Sequence, residues 1–198
     1  AQLQQPGFEE LLSGYVTSAL EAFNLDHNRR YRHKSLQLEH KRLVRLLNEW
    51  FELEAGRKPF KVIEKEQRHQ VTLASKTIDV YIDRVDQLAD GSHLVLDYKS
   101  GQISVKDWFG ERPRAPQLPL YACVLDEQQK TVSALAYGEV KFQEVKFTGV
   151  SDSSETSPVM RNTVEKNKYT EAASLVEQIP IWREELTGLM ARYAQGDS

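Results

Sequence analysis

The stretch from Ile78 to Gly101 reads Ile-Asp-Val-Tyr-Ile-Asp-Arg-Val-Asp-Gln-Leu-Ala-Asp-Gly-Ser-His-Leu-Val-Leu-Asp-Tyr-Lys-Ser-Gly. Two runs of alternating apolar residues are joined at Asp90-Gly91, a pair that is typical of hairpin turns. Side chains on a strand alternate between its two faces, so Asp97 and Lys99 should project from the same face. The stretch therefore predicts a β-hairpin that carries an acid and a lysine side by side.

Three short segments follow one another in the chain. Residues 82–86 read Ile-Asp-Arg-Val-Asp, residues 97–101 read Asp-Tyr-Lys-Ser-Gly, and Gln117 and Tyr121 follow four residues apart. This order resembles the PD-(D/E)XK nuclease superfamily, and within it the RecB-like exonuclease branch. The resemblance is firm over residues 59–137. It implies a restriction-endonuclease-like α/β fold, in which helices flank a central mixed sheet of four or five strands.

The resemblance also implies a metal-dependent deoxyribonuclease that serves DNA repair or recombination. Mg²⁺ and Mn²⁺ favour carboxylate and carbonyl oxygens. By resemblance, Asp83, Asp97 and the carbonyl of Tyr98 hold the metal. Lys99 would position or deprotonate the attacking water, or neutralise the transition state.

Side chains on neighbouring elements are expected to complete the site. Glu66, or else Glu64, could add an outer metal contact from the preceding strand, and the alternative is a solvated glutamate. As in the family, Gln117 and Tyr121 would act with the catalytic residues by bridging the DNA backbone and the active site. Taken without the family, they form an ordinary helix face.

The register of the hairpin decides whether the two acids meet. With a strict two-residue turn, Arg84 would face Asp97 and Asp83 would point to the other side of the sheet. We therefore predict a three-residue connection or a bulge, which moves the register by one residue. The alternatives are that Asp86 is the true partner of Asp97, or that Asp86 only pairs with Arg84 or Arg114.

Two other interpretations of the hairpin are open. An EF-hand loop would use Asp86, Asp90, Gly91 and Asp97, but Leu88 stands at a required ligand position and the flanks read as strands rather than helices. The other interpretation is a set of surface acids beside a lysine, with no chemistry.

Composition gives few direct signs of a nucleic-acid partner. The chain has 198 residues, of which 40% are hydrophobic, and a net charge of -3, whereas nucleic-acid-binding domains often carry a basic excess. Local basic patches could still contact DNA, through Arg30 and Arg32 in one loop and Arg112 and Arg114 in another. Either patch could instead be a solvated loop.

The lone Cys123 excludes a disulfide framework and an iron–sulfur cluster held by four cysteines of this chain alone. The sequence has no apolar run as long as a membrane span and no secretory signal, so we expect a cytoplasmic protein with no membrane partner. A start without methionine suggests a piece of a larger protein. By resemblance this would be its C-terminal nuclease domain, beside a helicase domain or subunit.

One departure from the family affects the expected activity. Many RecB-like nucleases carry Gly-x-x-x-His on an early helix, whereas here Gly14 is followed by Ser18. The motif lies upstream or has been lost, and His40 is a weak substitute. The alternative function is therefore a catalytically impaired, nuclease-like DNA-binding or scaffolding module of a larger helicase–nuclease assembly.

The hydrophobic periodicity predicts the remaining elements of what we expect to be a single domain over 1–198. Apolar positions from Phe8 to Phe23 predict a helix with one continuous buried stripe. The Trp-, Phe-, Arg- and Pro-rich loop at 103–116 suits either a DNA-facing rim or packing. The helical part is expected at 1–56, with its second helix at 35–55. The sheet core is expected at 59–149, with a strand at 59–74, the active-site hairpin at 78–101, a helix at 116–125 and two strands within 131–149. A mobile loop at 150–165 and C-terminal helices at 167–195, which Pro180 kinks or restarts, would follow.

Overall fold

A computed structural model describes residues 7–26, 33–141, 144–153 and 163–196. The chain divides into two compact units, one formed by 1–56 with 140–145 and the other by 57–139 with 146–198. In chain order the elements are α1 (Phe8–Asp26), α2 (His33–Ala55), β1 (Phe60–Leu73), β2 (Lys76–Leu88), β3 (His93–Lys99), a 3₁₀ turn (Val105–Trp108), α3 (Gln117–Glu127), β4 (Val132–Lys141), β5 (Glu144–Ser151), a second 3₁₀ turn (Val164–Lys166) and α4 (Leu175–Gln195).

The first unit contains the helix pair α1 and α2. The rings of Phe8 and Phe51 meet edge to face, 5.4 Å between centroids. The expected continuous buried stripe on α1 is wrong in part, because Leu11, Tyr15 and Phe23 are exposed. The apolar positions form a wide stripe, and one neighbouring helix covers only part of its width.

The second unit is built on a five-stranded mixed sheet in the order β1-β2-β3-β4-β5. Strands β1, β2 and β3 pair antiparallel, whereas β3 and β4 pair parallel. A parallel pair needs a crossover connection, and α3 supplies it. The sheet confirms the expected α/β architecture, and the crossover brings α3 alongside the strand that carries Asp97 and Lys99.

Helices α3 and α4 pack on each other and enclose the core of this unit. Trp108, Leu118, Leu125 and Trp182 are fully buried there. None of the helices in the described ranges is long and apolar enough to cross a membrane.

Helix α4 runs through Pro180 as one helix, so the expected restart as a second helix is wrong. A proline inside a helix removes one hydrogen bond, here to the carbonyl of Val176. Val176 is exposed, so water can satisfy that carbonyl. The side chain of Ser174 caps the helix by accepting a hydrogen bond from the backbone N–H of Glu177.

The expected mobile loop at 150–165 falls mostly outside the described residues. At its edges Ser151 ends β5, and Val164–Lys166 form the second 3₁₀ turn.

Candidate active site

A three-residue loop joins β2 to β3 and sets the register of the hairpin. The N–H of Leu88 donates to the carbonyl of Ser92 at 2.8 Å, and the N–H of Gly91 donates to the carbonyl of Leu88 at 3.0 Å. Gly91 has φ +86°, a conformation that glycine adopts without strain. The predicted three-residue connection is therefore confirmed.

The pairing of β2 with β3 follows from that loop. Arg84 lies opposite Leu96, and Val85 lies opposite Val95. Continued by one residue, this register sets Asp83 against Asp97, on the face that carries Val85 and Val95. The one-residue shift brings the two acids to the same face, as expected.

The regular pairing of β2 with β3 ends at Asp83. Its carboxylate oxygen Oδ2 accepts a hydrogen bond from the backbone N–H of Tyr98 at 2.9 Å. Ile82 and Val85 are both buried in one core, although residues three apart on a regular strand face opposite ways. Strand β2 is thus irregular at Asp83, and the side chain there replaces a backbone carbonyl as the acceptor.

Asp97 is the buried acid of the site, with 1% of its surface exposed. Its oxygen Oδ2 lies 2.6 Å from Nζ of Lys99. Oxygen Oδ1 has no hydrogen-bond partner among the described residues. Burial raises the pKa of Asp97, the Lys99 ammonium opposes that rise, and the negative charge of Asp83 adds to it.

Helix α3 contributes two polar side chains that form a chain of hydrogen bonds with Lys99. Nζ of Lys99 donates to Oε1 of Gln117 at 2.9 Å, and Nε2 of Gln117 donates to the hydroxyl of Tyr121 at 2.6 Å. The helix begins directly after Pro116, which puts Gln117 and Tyr121 one turn apart on the face toward β3. Burial raises the pKa of Tyr121, with Asp97 and Asp83 adding to the rise, so its hydroxyl stays protonated.

The side chains of this site thus come from positions spread over about 40 residues of the sequence. Two carboxylates, an ammonium, an amide and a phenol meet at the carboxyl end of β3, on β2, β3 and α3. A model of the PD-(D/E)XK nuclease superfamily matches residues 2–198. The chain belongs to this superfamily. Comparison with curated proteins finds none that matches the chain.

Members of the PD-(D/E)XK superfamily are in general nuclease hydrolases that use divalent metal ions. The donor atoms of this chain fit such an ion. Asp97 offers a buried carboxylate oxygen without a partner, and Asp83 offers a second carboxylate on the same face. Both are the hard oxygen donors that Mg²⁺ and Mn²⁺ favour. That Asp83, Asp97 and the carbonyl of Tyr98 hold the ion stays a prediction.

Asp86 is not the partner of Asp97. It lies opposite Leu94 on the other face of the sheet, fully buried. Its carboxylate pairs with Arg84 at 2.7 Å, as one of the expected alternatives had it, and also with Arg57 at 2.8 Å. Its carboxylate is therefore held by two guanidinium groups on the opposite face of the sheet from Asp97.

The sequence does not indicate the contacts that Arg57 and Tyr137 make with the two aspartates Asp86 and Asp97. Tyr137 on β4 pairs with Asp97 in the parallel ladder, and its hydroxyl accepts a hydrogen bond from the indole N–H of Trp108 at 2.8 Å. Burial raises the pKa of Tyr137, and the charge of Asp97 adds to the rise. No motif marks either residue, and only the register of β4 against β3 could have indicated Tyr137.

The two glutamates of β1 differ in their surroundings. Glu64 pairs with Lys130 and with His69, which occupies both of its oxygens. Glu66 is exposed, has φ +49°, and falls beside Asp83 between the flanking ladder pairs. Within the described ranges no three His, Cys, Asp or Glu side chains lie together as metal ligands, so the structure does not bring Glu66 to the two aspartates.

Of the two roles expected for the loop at 103–116, packing is the one observed for its aromatic residues. Trp108 is buried, and Phe109 lies against Trp182 with 5.5 Å between ring centroids. Arg112 and Arg114 remain exposed on it, and contact of either with DNA remains a prediction. The other two basic candidates, Arg30 and Arg32, lie outside the described residues.

His40 lies in the helical unit, and its part as a substitute for the missing histidine stays a prediction. Nε2 of His40 lies 3.1 Å from Oγ of Ser13, within the helical unit. The flanks of the hairpin are the strands β2 and β3, so the EF-hand interpretation, which needs helices, is wrong.

Proposed function

We propose that the protein hydrolyses DNA phosphodiester bonds in a reaction that depends on Mg²⁺ or Mn²⁺. The observation that carries the proposal is the meeting of Asp83, Asp97, Lys99, Gln117 and Tyr121 at one site, with a buried oxygen of Asp97 lacking a partner. When bound, the ion supplies positive charge for the transition state and lowers the pKa of the attacking water.

The residues of this chain have distinct tasks in that reaction. Asp83 and Asp97 bind the ion with the carbonyl of Tyr98. Lys99 carries the positive charge that orients the attacking water and stabilises the developing negative charge on the phosphoryl oxygens. Gln117 holds the Lys99 ammonium in place from α3 at 2.9 Å, so the lysine enters the reaction already positioned.

Tyr121 would contact the DNA backbone. Its hydroxyl accepts a hydrogen bond from Gln117, which leaves its own proton to donate. Because the raised pKa keeps this hydroxyl neutral, it can donate a hydrogen bond to a phosphate oxygen rather than repel it.

We assign the activity to an exonuclease of the RecB-like kind, acting in DNA repair or recombination beside a helicase domain or subunit in the cytoplasm. The support is the order of the three segments at 82–86, 97–101 and 117–121. Linear and circular single-stranded DNA test the exonuclease assignment, because an exonuclease leaves the circle intact.

The direct experiment incubates purified protein with labelled single- and double-stranded DNA in Mg²⁺, in Mn²⁺ and in EDTA. We expect cleavage with metal and none in EDTA, and we expect Asp97→Ala and Asp83→Ala to abolish it. Intact DNA with this chain and also with a longer version of the protein would refute the enzymatic proposal.

A second candidate function is a nuclease-like DNA-binding or scaffolding module without turnover. The specific observation in its favour is Ser18, four residues after Gly14, where many RecB-like nucleases carry a metal-binding histidine. Under this function Asp97→Ala leaves DNA affinity unchanged, and affinity falls with salt. Metal titration of wild type, Asp97→Ala and Lys99→Ala separates the two functions, since only the nuclease needs a metal site that Asp97 completes.

A further inference from the structure

Arg84 is held by an acid on the face of the sheet opposite Asp97. Nε of Arg84 donates to Oδ1 of Asp86 at 2.7 Å, and Nη2 donates to Oδ2 of the same carboxylate at 2.9 Å. Such a contact at two points fixes the plane of the guanidinium as well as its position. The direction in which its remaining nitrogen, Nη1, points is therefore fixed too.

The carboxylate that holds Arg84 is itself fixed in place. Asp86 is fully buried, and Nη1 of Arg57 lies 2.8 Å from its Oδ2. The guanidinium of Arg57 lies over the ring of Phe60, 3.8 Å from the ring centroid, and the side chain of Arg57 is buried as well. Arg84 thus projects from a closely packed support, which holds it in one arrangement.

Nη1 of Arg84 reaches the strand that carries the candidate catalytic residues. It donates a hydrogen bond to the hydroxyl of Tyr98 at 2.9 Å. The side chain of Tyr98 is 37% exposed, so packing covers its ring only in part. The hydrogen bond from Arg84 therefore anchors a ring that packing alone would hold less firmly.

Tyr98 lies on a part of β3 that needs such an anchor. The pairing of β2 with β3 ends at Arg84 and Leu96, whereas β3 continues beside β4 as far as Lys99. On the β2 side, two side chains take the place of the ladder. Asp83 accepts a hydrogen bond from the N–H of Tyr98 at 2.9 Å, and Arg84 donates one to its hydroxyl. Consecutive residues of β2 thus hold Tyr98 at its backbone and at its side chain.

We propose that Arg84 is a positioning residue of the candidate active site and acts through the hydroxyl of Tyr98. Anchoring the ring keeps the backbone of Tyr98, and the carboxylate of Asp83 that is bonded to it, in one geometry. Groups that orient metal ligands in this way raise the affinity for the metal. The inference rests on the proposed function in taking Asp83 and the carbonyl of Tyr98 as ligands.

The test removes the anchored hydroxyl and keeps its support. Tyr98→Phe deletes the group that accepts from Arg84 and leaves the pair of Arg84 with Asp86 intact. Tyr193→Phe is the matched control, because it deletes one hydroxyl from an exposed ring on α4. Isothermal titration calorimetry measures the affinity for Mn²⁺, and hydrogen exchange followed by NMR in EDTA reports on the amide of residue 98. Thermal unfolding verifies that each variant folds.

We expect Tyr98→Phe to bind Mn²⁺ about 2- to 12-fold more weakly than wild type, the range for the loss of one hydrogen bond. The amide of residue 98 should exchange faster than in wild type, because its bond to Asp83 opens more often once the ring is not anchored. Tyr193→Phe should match wild type in both measurements.

Arg84→Gln tests whether the arginine acts through this hydroxyl. The variant should also weaken the binding of Mn²⁺, and adding Tyr98→Phe to it should cause no further loss, because both changes break the same bond. Losses that add in the double variant would overturn the proposed route. If Arg84→Gln does not fold, Tyr98→Phe decides by itself, since it leaves the buried ion pairs in place.

Either an affinity or an exchange rate of Tyr98→Phe equal to that of Tyr193→Phe would overturn the inference. The proposed hydrolysis is judged separately, by cleavage in Mn²⁺, so cleavage together with such an equality removes only this inference. If wild type binds no Mn²⁺, the metal-dependent hydrolysis fails. The exchange of the amide then decides on the anchor alone, which faster exchange supports and unchanged exchange overturns.

Discussion

Nζ of Lys99 lies 2.6 Å from Oδ2 of Asp97, so the ammonium already neutralises the carboxylate that is proposed to bind metal. A divalent ion on the same carboxylate is repelled by that positive charge. We expect Lys99→Met to bind Mn²⁺ about tenfold more tightly than wild type, a difference of about 1.4 kcal/mol, while cleavage is lost. Isothermal titration calorimetry measures the affinity.

Lys76→Met is the control for Lys99→Met, because Lys76 is an exposed lysine at the start of β2. It should leave both the affinity for Mn²⁺ and the cleavage unchanged. Weaker binding of Mn²⁺ by Lys99→Met would mean that the lysine helps to build the metal site rather than competing for it.

Asp97 should reduce the stability of the metal-free protein at neutral pH. Because burial raises its pKa in the folded state, the folded protein loses stability as the pH rises from the unfolded pKa through the folded one. We expect Asp97→Asn to be more stable than wild type above that window, by about 1 kcal/mol or about 2–4 °C in Tm. The two proteins should converge in acid, and thermal unfolding in EDTA across pH measures the difference.

Asp79 provides the opposite case as a control. Its hydrogen bond with Arg68 lowers its pKa, so its contribution is present at neutral pH and is lost as the pH falls. Asp79→Asn should therefore give no gain in stability at neutral pH. An Asp97→Asn variant that is no more stable than wild type in mildly alkaline buffer would contradict the prediction.

Gln117 should matter more to the rate than Tyr121, because Gln117 accepts a hydrogen bond from Lys99, whereas Tyr121 accepts one from Gln117. Gln117→Leu removes the acceptor that holds the ammonium and the donor to Tyr121. We expect single-turnover cleavage in saturating Mn²⁺ to fall about 10- to 100-fold, and Tyr121→Phe to lose less. The reverse order would shift the main role to the tyrosine hydroxyl.

The ion pairs of Asp86 should contribute much more to the free energy of unfolding than a surface ion pair does. Asp86→Ala leaves Arg57 and Arg84 without the buried carboxylate that both of them contact, which typically costs about 3–5 kcal/mol. Asp79→Ala breaks an exposed pair with Arg68 and a hydrogen bond from Gln70, and because these contacts are in water their loss should cost far less than the loss of Asp86. Urea unfolding of both variants compares them, and similar midpoints would refute this difference.

Cys123 should be unreactive in the native protein. Burial raises the pKa of its thiol to about 12, so the reactive thiolate is nearly absent at neutral pH. We expect iodoacetamide to modify Cys123 slowly in native buffer and quickly in urea, as followed by mass spectrometry. Rapid native labelling would show that the packing of α3 against α4 opens readily.

The sequence predicted those parts of the site that depend on local pattern. Alternation placed Asp97 and Lys99 on one face, helical spacing placed Gln117 and Tyr121 together, and the requirement that Asp83 face Asp97 predicted the length of the turn. Each inference used residues close in the chain, where strand or helix geometry fixes direction.

Contacts between distant segments could not be predicted in the same way. Nothing local to Arg57 indicates that it reaches Asp86, and nothing in β4 indicates that Tyr137 lies beside Asp97, because a parallel register depends on the whole crossover. The stripe on α1 identified an apolar face but not how much of it a neighbour covers. Pro180 likewise did not end α4, because the carbonyl left without a hydrogen-bond donor is on an exposed turn.

The three-residue loop that ends in Gly91 decides which residue of β3 faces Asp83, about 20 Å away along the strand. If the same residues closed as a two-residue turn at Asp90 and Gly91, Arg84 would face Asp97 and Asp83 would lie on the other side of the sheet. The conformation of a surface turn thus fixes the spacing of two charges at the far end of β3.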